Sequence, residues 1–153
     1  MTMTDDEQVA ATAKLAHEAY FAYRNGEYRQ FETLMQRFND EGARVDILLV
    51  VWSEIFCEHV FGRNRQYRRV KLDYIEANTL TKNDPDCPAE VTWSIALIEA
   101  RIAGDRAAFN GALRQFHNLP SDERRGEYIT RFLDQLVKNI NHIPYGYLHE
   151  SPN

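Results

Sequence analysis

Hydrophobic residues recur at helical spacing along most of this chain, separated by polar positions. The clearest stripe consists of Ile129, Phe132, Leu133, Leu136, Val137 and Ile140. Apolar residues three and four positions apart share one face of an α-helix, so each such stripe predicts a helix with one buried side. The predicted helices cover about 4–24, 27–40, 43–61, 64–77, 88–103, 105–119 and 121–143. We therefore predict an all-α fold of about seven helices.

Local signals mark where several of these helices begin and end. Thr4 and Glu7 form the T-x-x-E pattern of a capping box, in which each side chain satisfies a backbone N–H of the other residue. Gly26 and Gly104 are placed to end helices, because glycine adopts the left-handed conformation at a helix end without steric cost. Ser121 is predicted as the N-cap of the last helix.

The apolar run Val45–Trp52 also fits a buried strand. The apolar stripe, however, continues at helical spacing through Ile55, Phe56 and His59. A pattern of about four helical turns is too long for an ordinary strand. We therefore predict a largely buried helix over about 43–61.

Two parts of the chain match when they are aligned on Gly26 and Gly104. The matched pairs are Ala22 with Ala100, Glu27 with Asp105, Phe31 with Phe109, Met35 with Leu113 and Phe38 with Phe116. Gly62 gives a poorer copy between them, so the three glycines are spaced by 36 and 42 residues, as in helix–turn–helix repeats. Unrelated amphipathic hairpins are the alternative, since helical spacing alone places apolar residues near these offsets.

At these residues the sequence resembles the tetratricopeptide repeat family. The similarity covers most of residues 5–120 and consists of Ala19-Tyr20, Asn25-Gly26-Glu27-Tyr28, Trp93 ahead of Gly104, and Pro120 near a repeat end. The resemblance implies three helix-turn-helix hairpins, followed by a C-terminal capping helix over about 121–143. The chain departs from the family where Phe31, Tyr67 and Phe109 replace a small alanine and where Leu97 replaces glycine or alanine. A compact helical bundle is the alternative.

Tetratricopeptide proteins present the first helix of each hairpin to a concave groove. Carried over by offset from each glycine, the groove lining would be His17, Tyr20, Tyr23, Arg24, Ser53, Phe56, His59, Ile98 and Arg101. Aromatic anchors among a few polar groups suit the binding of a protein segment. The alternative is that several of these residues belong to the core, above all Phe56 and Ile98.

Length and composition favour one folded domain without a membrane span. The chain has 153 residues, a hydrophobic content of 44% and 18 basic against 23 acidic side chains, for a net charge of −5. We predict a single helical domain over 1–143 and a tail over 144–153. The acidic N-terminus lacks the features of a secretory signal. Cys57 and Cys87 are too few for a disulfide framework and predict reduced thiols in a cytoplasmic protein, a redox pair being the alternative.

No motif in the sequence indicates catalysis, a cofactor or a metal site. The five histidines form no H-E-x-x-H or E-x-x-H pair, and no glycine-rich phosphate loop or G-x-S-x-G motif occurs.

The most distinctive charge feature is a basic face formed by Arg63, Arg65, Arg68, Arg69 and Lys71. It fits an acidic partner or nucleic acid, although an ordinary solvated helix face explains it as well.

The sequence thus predicts a non-enzymatic protein-binding module, a small cytoplasmic adaptor or regulator that holds a partner segment in a helical groove. A regulator linked to nucleic acid through residues 63–71 is the alternative, and a helical-bundle enzyme is a third. Self-association as a homodimer is also consistent with the hairpin edges.

Overall fold

The computed structural model describes residues 4–62, 87–142 and 145, and within them it contains six helices and no strand. The helices are α1 (Asp5–Arg24), α2 (Tyr28–Asp40), α3 (Val45–Phe61), α4 (Ala89–Ala103), α5 (Arg106–His117) and α6 (Asp122–His142). The all-α prediction is confirmed, and these six helices correspond to six of the predicted seven. The remaining one, over about 64–77, lies outside the described residues.

The helix ends follow the local sequence signals. Thr4 and Glu7 form both hydrogen bonds of the capping box at the start of α1. The backbone N–H of Arg124 donates to the Ser121 hydroxyl at 3.1 Å, which confirms Ser121 as the N-cap of α6. The run that also fitted a strand is helical, since Val45 begins α3.

The turns after Gly26 and Gly104 have the same geometry. Both glycines have a positive φ, 75° and 67°, which side-chain-bearing residues rarely adopt. The residue after Gly26 donates its N–H to the Ala22 carbonyl at 2.8 Å, and the residue after Gly104 donates to the Ala100 carbonyl at 2.9 Å. These bonds are those of the Schellman motif. Both glycines therefore lie at bends between paired helices, as the alignment predicted.

The chain divides into two compact units, Met1–Glu54 and Ile55–Asn153, and the division falls within α3. The prediction of a single domain over 1–143 stays a prediction.

In the first unit, α1 packs against α2 and also contacts the beginning of α3. The Trp52 indole N–H donates to the Ala16 carbonyl oxygen at 2.9 Å, in a buried position. The backbone N–H of Arg44 donates to the Thr12 hydroxyl at 3.2 Å. These two bonds join residues far apart in sequence and fix α3 against α1.

In the second unit, α4 packs against both α5 and α6. Trp93 of α4 lies at the centre of an aromatic cluster, with ring centroids 5.8 Å from Phe116, 5.4 Å from Tyr128 and 5.9 Å from Phe132. The apolar stripe of α6 is buried throughout. The capping role proposed for that helix stays a prediction.

The two matched hairpins differ in how deeply their paired phenylalanines are buried. Phe31 is 6% exposed, whereas Phe109 is half-buried. The alignment therefore holds for the turns but not for the packing of every paired side chain.

Candidate protein-binding surface

The predicted groove residues differ widely in accessibility. Tyr20, Ser53, Phe56 and Ile98 are buried; Tyr23, His59 and Arg101 are half-buried; His17 and Arg24 are exposed. The four buried side chains form part of the core and are not available to a partner. At these four positions the lining prediction is corrected, because their side chains are enclosed by the packed helices.

Tyr20 is held in place by its neighbours on α1. Its ring meets Phe21 edge-on at a centroid distance of 5.3 Å, and its hydroxyl accepts a hydrogen bond from the Arg24 guanidinium at 3.3 Å. Burial raises the pKa of Tyr20, partly offset by the charge and hydrogen bond of Arg24. Tyr20 therefore remains a neutral phenol, and its hydroxyl orients the Arg24 guanidinium through this hydrogen bond.

Tyr23 contributes to the hairpin itself. Its ring lies edge-on to Tyr28 and Phe31 of α2, at centroid distances of 5.3 Å and 5.1 Å. Edge-to-face aromatic pairs of this kind contribute about 0.5–1.5 kcal/mol beyond their buried area. Tyr23 thus joins α1 to α2 and presents only part of its ring to solvent.

A different set of side chains forms the exposed face of α1. We call Lys14, His17, Phe21 and Arg24 the α1 surface; all four are exposed, and Phe21 is 53% exposed. Their spacing of three, four and three residues places them along one side of the helix. Ala19, which is buried, lies on the other side. The α1 surface is therefore a row of basic side chains with one aromatic ring among them.

The two formal charges of the α1 surface, on Lys14 and Arg24, make no ion pair within the described residues, and the nearest acidic position along the helix is the half-buried Glu18. Among the described residues, neither Lys14 nor His17 takes part in an ion pair, and Arg24 bonds to the neutral Tyr20 hydroxyl. Elsewhere in the same unit a basic side chain does have acidic partners, since Arg44 pairs with Asp46 at 2.7 Å. The α1 surface can therefore offer its charge to a ligand.

Two of these four residues, Lys14 and Phe21, were missed at the sequence level. Counting positions from the hairpin glycine selected Tyr20. The exposed ring is that of the next residue, Phe21, which points about 100° further round the helix. The sequence did carry the signal, because Tyr20 shares a helical stripe with Ala16, which is buried. Phe21, in contrast, falls among basic positions and so belongs to the solvent side.

In the second unit, His59 and Arg101 are not part of a comparable surface. The His59 ring meets Tyr145 edge-on at a centroid distance of 5.8 Å.

Burial raises the pKa of the Cys57 thiol to about 12, with a smaller opposing effect from the charge of Arg101. Cys57 is therefore a protonated thiol of the core.

The described residues contain no group of three or more His, Cys, Asp or Glu side chains that could hold a metal ion. None of the described helices combines the length and apolar character needed to cross a membrane. The basic face Arg63, Arg65, Arg68, Arg69 and Lys71 lies outside the described residues.

The described chain is an all-α protein with an exposed aromatic and basic helix face. No protein-family model, curated protein or solved structure matches it.

Proposed function

We propose that this protein is a non-enzymatic protein-interaction module, a small cytoplasmic adaptor or regulator that binds a segment of a partner protein. The observation that carries the proposal is the α1 surface, in which the 53% exposed ring of Phe21 stands among three basic side chains. Tryptophan, tyrosine and arginine are enriched among the residues that dominate interface binding energy, and phenylalanine is enriched in protein interfaces.

The rigidity of the hairpin supports this role. α1 is fixed on one side by the Tyr23 ring contacts to α2 and on another by the Trp52 hydrogen bond to Ala16. A side chain on a fixed helix loses less conformational freedom on binding than one on a loop. Phe21 is therefore preorganised for binding to a partner.

We also propose that the hairpins form a tetratricopeptide-like repeat. The positions of Gly26 and Gly104 support it, since each glycine follows one helix and the next residue opens its paired helix; the Schellman geometry itself is general, because Gly42 adopts it as well. The exposed binding face would then differ from the family pattern, because Tyr20 faces the core.

Selection from a displayed random-peptide library on the full-length chain tests the proposed function. We expect peptides whose saturable binding, followed by fluorescence anisotropy, weakens about tenfold or more in Phe21→Ser. Tyr145→Ser is the matched control, because Tyr145 is also a highly exposed aromatic residue, 60% exposed, but belongs to the second unit and not to the α1 surface. Recovery of no binding peptide, or equal binding by Phe21→Ser and wild type, would contradict the proposal.

A second candidate function rests on the five basic residues within nine positions, Arg63 to Lys71, of a chain with net charge −5. Such a cluster can bind nucleic acid through phosphate contacts. A gel shift of duplex DNA that weakens steeply with salt and is lost in Arg65→Ala/Arg68→Ala/Arg69→Ala would favour it. The absence of any shift at low salt would exclude it.

A further inference from the structure

We infer that the partner segment bound at the α1 surface is acidic and carries an apolar anchor. This inference rests on the proposed function and adds the chemistry of the ligand. Three features of the described residues support it: the positive sign of the Lys14 and Arg24 charges, the absence of an ion pair at either residue, and the position of the Phe21 ring between them.

The formal charges within the α1 surface are those of Lys14 and Arg24, and both are positive. Lys14, His17 and Arg24 flank Phe21 on both sides along the helix, at distances of seven, four and three residues. The whole chain, by contrast, has a net charge of −5. A local basic region on an acidic protein attracts acidic segments and repels basic ones, which gives both orientation and selectivity.

The available donors favour carboxylate groups. Arg24 already places one guanidinium nitrogen on the Tyr20 hydroxyl at 3.3 Å, which orients the side chain without neutralising its charge. A guanidinium has five N–H donors, so the others remain for a bidentate bond to a carboxylate. Lys14 and His17 have no ion pair within the described residues that would compete.

The exposed ring sets the second requirement. Phe21 makes an edge-to-face contact with Tyr20, at a centroid distance of 5.3 Å, and Phe21 is 53% exposed to solvent. Burying the Phe21 ring requires an apolar side chain from the partner, because a purely acidic segment would leave the ring exposed to water. The fitting ligand is therefore a short segment with aspartate or glutamate on either side of a large apolar residue.

The composition of peptides selected on the full-length chain tests this inference. We expect enrichment of aspartate and glutamate around a large apolar residue, and a fall in affinity as salt is raised, because the charges are exposed. Replacing the acidic residues of the best peptide by lysine should abolish measurable binding.

Charge reversal in the protein gives the matched comparison. Lys14→Glu/Arg24→Glu should weaken binding of the selected acidic peptide about tenfold or more, if the two cations contact it. Arg106→Glu/Arg114→Glu alters the net charge equally, through exposed α5 residues outside the α1 surface, and should have a much smaller effect. Circular dichroism of each variant would establish that the fold is retained.

The outcomes separate the inference from the proposed function. Peptides that need Phe21 but are neutral or basic would overturn the acidic partner and leave the binding function standing. Recovery of no peptide would overturn both. A dimer detected by light scattering and abolished by Phe21→Ser would also overturn the inference, because the occupant would then be a second copy of this chain.

Discussion

The Trp93 indole of α4 donates a hydrogen bond to the Ala112 carbonyl oxygen of α5 at 2.9 Å. The same ring contacts Phe116 of α5 and Phe132 of α6. Trp93 thereby contacts α5 and α6, the two described helices that pack against α4 in the second unit. The stability of that unit should depend on it more than on any surface contact.

Substitution of Trp93 separates the hydrogen bond from the packing. Trp93→Phe keeps an aromatic ring but removes the donor, and should lower the free energy of unfolding by about 1–2 kcal/mol. Trp93→Ala also leaves a cavity and should lower it by about 3–5 kcal/mol. Urea denaturation measures both values. Similar losses in the two variants would show that the ring contributes little through packing.

The two matched turns predict unequal effects of removing their acidic residues. The Asp105 side chain accepts a hydrogen bond from the Ala108 N–H at 3.0 Å, whereas Glu27 makes no such cap bond. Asp105→Ala should therefore cost about 0.5–2 kcal/mol. Glu27→Ala should change stability by less than about 0.5 kcal/mol. Thermal melts of the two variants provide the comparison, and an equal loss in both would contradict it.

The two cysteines should differ in reactivity. Cys57 is buried and protonated at neutral pH, because burial raises its pKa to about 12, whereas Cys87 is half-buried. A chromogenic disulfide reagent should therefore label only Cys87 quickly in the folded protein, and both cysteines in denaturant. Cys87→Ser should abolish the fast reaction and Cys57→Ser should retain it. Fast labelling that survives in Cys87→Ser would disprove the assignment.

Stability should fall at alkaline pH partly through Cys57. Its pKa rises from 9.0 to about 12 on folding, so in this pH range the unfolded chain releases a proton that the folded chain keeps. The free energy of unfolding therefore decreases as pH rises through that range. Tyr20, whose pKa is also raised, acts in the same direction. Cys57→Ala should show a shallower alkaline decline in stability, measured by urea denaturation at several pH values.

Asp46 makes the opposite contribution in acid. Burial raises its pKa, but the hydrogen bond and charge of Arg44 outweigh burial, and the net pKa is lowered from 3.8. The resulting stability is present above that value and is lost as pH falls through the lowered pKa. Asp46→Asn should cost about 1 kcal/mol or less at neutral pH, because the pair is partly exposed, and nothing in strong acid. A constant difference across pH would contradict this origin.

The sequence predicted the six described helices closely because their limits depend on local chemistry. The capping box at Thr4, the N-cap at Ser121 and the glycines at 26 and 104 each act within one turn of the chain. The placement of Gly26 and Gly104 at helix ends was confirmed for the same reason, whereas the repeat itself stays a prediction. The alignment did not predict that Phe109 would be half-buried, since that depends on which helices cover the position.

The α1 surface shows where such prediction ends. Tyr20 lies on the apolar stripe of α1 and Phe21 lies among basic positions, so the sequence favours an exposed Phe21. The offset alignment nevertheless selected Tyr20 for the groove, and the packing of α1 buries that side chain. Sequence by itself determined helices, caps and turns, because these follow from interactions between residues close along the chain. Only the tertiary structure decided how completely matched side chains such as Phe31 and Phe109 are covered, because burial depends on helices brought together from distant positions.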